Sequence, residues 1–215
     1  MNVGVLGTGV VGSTIASRLV GLGHEVKMGS REAGNEKARE WAERAGPKAS
    51  EGSFADAAAF GVLVFNCTAG EHSLAALEQA GTANLAGKVL VDVANVLDFS
   101  GGRPPAVGVG TKDSLGEQIQ RAFPMAKVVK TLNTVTARVM THPLEVADGD
   151  HHVFISANDA DAKSQVTDLL KSFGWIHIFD LGDLSTARGT EAYLLLWVRL
   201  YGAMNTGMIN VKIMK

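Results

Sequence analysis

The chain has 215 residues, 46% of them apolar and 20% charged, and its 20 Lys and Arg against 22 Asp and Glu leave a net charge of −2. That balance describes an ordinary globular protein with one good core, and it argues against nucleic acid or an anionic membrane as a partner. A single cysteine, Cys67, forbids an intrachain disulfide and fits a reducing compartment.

Met1 runs almost directly into an apolar strand pattern, and the longest apolar run near the C-terminus, Tyr193 to Val198, stops at Arg199. Neither a signal peptide nor a membrane span is expected, and the expected location is cytoplasmic.

Taken in chain order, Asn2 to Leu6 reads as a buried strand leading into glycines. Val11, Ile15, Leu19 and Leu22 recur at helical spacing and stop at Gly23. A strand at His24 to Met28 and a helix at Ala33 to Ala45 follow, the helix ended by Gly46-Pro47. A short helix at Phe54 to Phe60, a strand at Val62 to Asn66, a helix at Ser73 to Gln79 and a strand at Lys88 to Val93 come next. Asn95 to Gly110 reads as one long loop, a length that compact domains reserve for ligand contact.

Beyond it lie a helix at Asp113 to Ala122 and a strand at Ala126 to Lys130. Then come a strand at His152 to Ser156, a helix at Asp161 to Phe173 and a strand at Trp175 to Phe179. Strands alternating with helices predict an α/β fold, a Rossmann-like doubly wound and mostly parallel sheet covered on both faces. Residues 1–180 are expected to form that domain, with 181–215 as a small helical C-terminal portion. Within it, Ala192 to Leu200 is apolar nearly all round, which predicts burial in the fold or against a second subunit and suggests a homodimer. Met208 to Met214 alternates like an extended edge.

The most specific stretch is Gly7-Thr8-Gly9-Val10-Val11-Gly12, a G-x-G-x-x-G that follows a strand, opens a helix and starts a β-α-β unit. In this pattern the first glycine allows the tight turn and the second lets the backbone approach a pyrophosphate. The third lets helix and strand pack closely, and the diphosphate sits on the helix N-terminus. An NAD site usually places Asp or Glu about 20 residues further on, against the ribose 2′-OH. Gly29-Ser30-Arg31 stands there instead. Ser30 can hydrogen-bond a phosphate, Arg31 can pair with it or stack on adenine, and no strand-end acid repels it. Glu32 is expected to point into the first turn of the following helix, and Asn35 or Lys37 can complete the pocket. NADP(H) is therefore preferred to NAD(H).

Later strand ends offer Asn66-Cys67-Thr68-Ala69-Gly70, Ala94-Asn95-Val96-Leu97-Asp98 and Thr131-Leu132-Asn133-Thr134. Cys67 reads as a small buried thiol before a nucleophile, since no His is near it in sequence. Asn133 can contact the nicotinamide amide or a second substrate, or cap a helix. The histidines His24, His72, His142, His151, His152 and His177 lack metal-ligand spacing, and His151-His152 is expected to be solvated. Asp92 and Asp98 read as caps, not as an acid–base pair.

Together "GTGVVGSTIASRLVGLGHEVKMGSR", "VLVDVANVLDFS" and "VVKTLNTVTARVM", with the tail "RGTEAYLLLWVRLYGAMNTGMINVKIM", resemble the NADP oxidoreductase, coenzyme F420-dependent family. The reductase domain of the STEAP membrane metalloreductases is similar. The resemblance implies a Rossmann domain with a small C-terminal portion, often dimeric, passing hydride between NADPH and a deazaflavin with the two rings stacked. It also implies NADP contacts from Thr8, Ser30 and Arg31, and a phosphate loop at Gly7, Gly9, Val10 and Val11. Thr68 and Ala69 would line the dinucleotide's path, and Asn95 would lie near the nicotinamide end. Deazaflavin-using members carry a histidine near position 133, where this chain has Asn133, so a flavin-like acceptor stands beside coenzyme F420. Stacked-ring hydride transfer needs positioning more than acid–base groups. The rival readings are a reductase of a small imine or carbonyl substrate, and a non-catalytic NADP(H) sensor.

Overall fold

β1 (Asn2–Leu6) is buried from Val3 onward and delivers the chain into α1 (Val10–Gly21), whose Ile15, Ala16 and Leu19 face the core. β2 (Glu25–Ser30) follows, and α2 (Glu36–Ala45) begins only after Asn35, whose side chain accepts the Ala38 N–H as its cap. β3 (Ala49–Ser53) was not expected. Its Ala-Ser-Glu-Gly-Ser run carries no apolar alternation, and only its parallel pairing with β2 makes it a strand.

α3 (Phe54–Phe60) starts on a capping box between Ser53 and Asp56. β4 (Leu63–Asn66) leads to α4 (Gly70–Ala80), the short α5 (Thr82–Leu85) and β5 (Val89–Asp92), and both of these strands are buried at every position. Part of the expected long loop folds as an antiparallel ribbon, β6 (Leu97–Asp98) with β7 (Ala106–Val107). The computed structural model describes residues 1–98, 100–102, 105–108 and 112–214; the rest of that loop lies outside the described residues.

α6 (Leu115–Ala122) is capped by Ser114, and β8 (Lys127–Thr131) and α7 (Ala137–Thr141) come next. β9 (His152–Ala157), α8 (Ala160–Phe173) and β10 (His177–Gly182) form the last β-α-β unit, and β10 runs across the boundary expected at residue 180. α9 (Ala187–Ala192) and α10 (Leu194–Met204) follow.

The sheet has the order β10-β9-β8-β5-β4-β1-β2-β3, parallel throughout except between β8 and β9. From β3 to β8 this is the doubly wound order, with its switch point between β1 and β4, and such folds leave a crevice beyond the carboxyl ends there. Ile15, Leu19, Trp41, Val166 and Phe173 fill one face of the sheet, and Phe54, Leu77, Leu85 and Ile119 fill the other.

The apolar C-terminal helix is only partly buried within one chain, and one expectation, for His151, is corrected. Within this chain only Leu194 and Val198 of α10 are buried, while Leu195 and Leu196 are 56% and 53% exposed. The helix crosses the rim of the fold and packs one side only. His151 is not solvated: it is buried edge-on against Trp175, with Nε2 at 2.9 Å from the Pro143 carbonyl and Nδ1 at 2.7 Å from Asn210. The Met208 to Met214 segment is irregular but runs beside the start of β9, where the His152 N–H donates to the Val211 carbonyl at 3.0 Å. Among the described residues no helix is long and apolar enough to cross a membrane.

Candidate active site

The glycine stretch owes its geometry to two close approaches. Gly7 holds φ +118°, and a Cβ on it would meet the Cys67 carbonyl at 2.7 Å. A Cβ on Gly12 would lie 2.1 Å from the Gly7 carbonyl, so α1 can come this near its own strand only with glycine there. Gly9 differs. Its φ of −76° suits any residue, and a Cβ would meet nothing within 4 Å. Glycine at that position leaves a space that the protein itself does not fill.

Gly9 also caps α1 without a side chain, and no acid stands in the first turn. The first N–H groups of α1 therefore face the cleft unpaired, with the positive end of the helix behind them. The cleft they open onto has a volume of about 840 Å³ and is lined by Gly7, Thr8, Gly9, Ser30, Arg31 and Asn35, among others. Arg31 is exposed on its rim and makes no ion pair among the described residues. Ser30 is buried and donates its hydroxyl to the Glu32 carbonyl at 2.5 Å, shaping the turn that presents Arg31. Glu32 lines the cleft instead of entering α2, because the Asn35 cap delays that helix. Lys37 sits exposed in the first turn of α2 and does not line the cleft.

A second cavity of about 590 Å³ adjoins the first, and both are bordered by Cys67, Thr68 and Ala69. Val10, Val11, Asn95, Asn133, Leu194 and Trp197 are among its walls, which are mostly apolar. Asn95 and Asn133 hold each other. Asn95 Nδ2 donates to the Asn133 carbonyl at 2.7 Å, and Asn133 Nδ2 donates to Asn95 Oδ1 at 3.1 Å. Asn133 Nδ2 also donates to the Thr190 carbonyl at 3.2 Å, so Asn133 is a tie to the C-terminal segment, not a cap for the helix that follows. Thr68 Oγ1 donates to Asn66 Oδ1 at 2.7 Å.

Beneath this slot lies a charged cluster that the sequence reading did not identify. Lys130 is fully buried, with Nζ at 2.8 Å from Asp92 Oδ2 and from Glu191 Oε1, and it donates to the Ala94 carbonyl at 2.6 Å. Burial alone would pull this ammonium down, and the two carboxylates overcome it and hold Lys130 above its usual value. Glu191 also accepts the N–H groups of Leu115 and Gly116 at the start of α6, at 2.8 and 3.2 Å. Asp92 is thus an ion-pair partner, while Asp98 Oδ1 accepts the Ser100 N–H at 2.8 Å in a loop turn. The available signal was a lysine directly following the apolar pair Val128-Val129 near the end of a strand.

Cys67 is a free buried thiol, pushed up by burial and then by the Asp92 charge, which removes it as a nucleophile at neutral pH. No group of three His, Cys, Asp or Glu among the described residues could hold a metal ion. Loop, unpaired helix start and free arginine together fit a dinucleotide lying along the glycine turn, with its 2′-phosphate end toward Arg31.

Comparison with known proteins agrees with this geometry. Residues 2–96 match the family described as NADP oxidoreductase, coenzyme F420-dependent. A candidate F420-dependent NADP-reductase from Arthrobacter sp. FB24 has a crystal structure that is 51% identical, with a TM-score of 0.94 over 99% of both chains. Metalloreductase STEAP3 of Rattus norvegicus is 31% identical over 201 residues, 88% of this chain, but the match spans 36% of that protein's length. An imine reductase from Streptomyces aurantiacus, 19% identical with a TM-score of 0.66, shares the fold. The chain belongs to the coenzyme F420-dependent NADP oxidoreductase family and is an NADP-dependent oxidoreductase.

Proposed function

We propose that the chain passes hydride between NADPH and a flat acceptor of the deazaflavin or flavin kind. The observation that carries this reading is the pair of adjoining cavities that share the Cys67–Ala69 ridge, one of mixed polarity around the glycine turn and one mostly apolar under Trp197. Gly7, Thr8, Gly9, Val10, Val11 and Gly12 provide the backbone on which a diphosphate rests, and Ser30 with Arg31 receives the 2′-phosphate. Thr68 and Ala69 line the passage between the cavities, and Asn95 and Asn133 close the far end of the slot. When bound, NADPH supplies the hydride. The residues of the slot hold two ring faces together and keep water out, which is the positioning that such a transfer requires.

The imine or carbonyl reading needs a proton donor. The acidic and thiol residues lining the slot are Glu71, exposed at its edge, and Cys67, whose proton is held by burial. The C-terminal portion described carries two short helices, α9 and α10. The exposed apolar side of α10, with Leu195, Leu196, Tyr201 and Met204, supports a homodimer. Light scattering that returns a single-chain mass would remove the dimer.

The test of the acceptor mixes the protein with NADPH and, separately, oxidised coenzyme F420, riboflavin and FMN, following absorbance. Turnover with at least one is expected. No turnover with any of them would overturn the acceptor while leaving the NADPH site standing.

A further inference from the structure

On the flank of α1 away from the glycine turn lies a third cavity, of about 670 Å³, between α1, α2 and α7. Its polar walls include Ser13, Thr14, Arg18, Arg44, Arg138 and His142, and no acidic residue is among the described residues that line it. Arg138 is answered by Glu145, with Nε at 2.7 Å from Oε2. Arg18 and Arg44 have no carboxylate partner among the described residues. One Arg18 terminal nitrogen donates to the Ser172 and Phe173 carbonyls at 3.3 and 3.1 Å, and its buried Nε has no hydrogen-bond partner among the described residues. Arg44 is exposed on the wall of this groove, and with Arg18 it gives the cavity a positive charge that no lining acid answers, the setting that attracts an anion. His142 reports the same field: burial and the nearby Arg138 and Arg18 charges hold it below its usual value.

The groove neighbours the slot. Arg138 lines both cavities, and along α1 the wall passes from Val10 and Val11 in the slot to Ser13 and Thr14 in the groove. At the α-helical rise, Val10 and Thr14 are about 6 Å apart along the axis. We propose that this groove receives the anionic arm, phosphate or carboxylate, of the hydride acceptor whose ring occupies the slot. The inference rests on the acceptor reading above and adds a specificity to it: an acceptor with a charged side chain is preferred to the same ring without one.

The test compares FMN with riboflavin, which share the ring and differ by a phosphate, binding to NADP⁺-saturated protein and read by flavin fluorescence. FMN is expected to bind about tenfold more tightly than riboflavin, the scale of one or two charge-assisted contacts. Arg44→Glu, in the exposed last turn of α2, should erase that preference by weakening FMN alone, with a thermal melt confirming that the variant folds. Equal binding of the two flavins, binding of neither, or a preference that survives Arg44→Glu would overturn the inference. Preferential FMN binding without hydride transfer keeps the groove and removes the acceptor reading. Hydride transfer without any preference for FMN removes the groove and keeps the acceptor.

Discussion

The two ends of the cleft are built differently. The end around Arg31 is framed by two short turns, Gly7–Gly9 and Ser30–Asn35, which lie side by side because β1 and β2 are parallel neighbours, with α4 along the opposite wall. The end around Trp197 is gathered from the start of α1, the ends of β4, β5 and β8, and the start of α10. The residues that mark the first for an anion sit on two local turns, and its Arg31 charge stays in solvent. The second needs every one of those segments in register, and what ties them is a buried ion cluster and a pair of asparagines. A dinucleotide end can therefore be shared widely among proteins of this fold, whereas the acceptor end depends on the whole domain.

The sharpest way to break this contrast is at Lys130. Lys130→Ala leaves Asp92 and Glu191 buried without their cation and should lower unfolding free energy by about 3–5 kcal/mol. Denaturant unfolding checks it, and a loss below about 1 kcal/mol would show that water or a proton replaces the ammonium easily. The pair Asn95 and Asn133 should loosen with it, since Glu191 adjoins the Thr190 carbonyl that Asn133 holds.

At the other end, Gly9→Val tests the phosphate loop with little harm to the fold, because the backbone there is ordinary and the Cβ meets no protein atom. The variant should melt like the parent yet lose affinity for NADP(H) and NAD(H) alike by about ten- to a hundredfold, the scale of a steric overlap of 1–3 kcal/mol. An unchanged NADPH affinity would sink the loop assignment.

Arg31→Ala separates the two dinucleotides. NADP(H) binding should weaken by about 1–3 kcal/mol, the range for hydrogen bonds to charged groups, while NAD(H) is hardly touched. Calorimetry with both cofactors decides it; equal losses would mean that Arg31 does not read the 2′-phosphate.

The glycine turn, the missing strand-end acid and the parallel alternation were legible because each is a relation between residues close in sequence. Periodicity located the buried strands for the same reason. β3 was not legible: five small and polar residues form a strand only because β2 offers an unpaired edge. The helix expected from Ala33 begins instead at Glu36, because the Asn35 side chain caps it by accepting the Ala38 N–H. Of the two residues expected to complete the pocket, Asn35 lines the cleft and Lys37 sits exposed in the first turn of α2.

Sequence alone therefore determined the fold class and the cofactor preference, since strand-turn-helix geometry and the charge at a strand end are local properties. Tertiary structure decided the slot, the buried Asp92–Lys130–Glu191 cluster and the exposed side of α10. Those depend on which segments become neighbours across the sheet, and burial, which turns a lysine and two acids into one structural unit, exists only after the chain has folded.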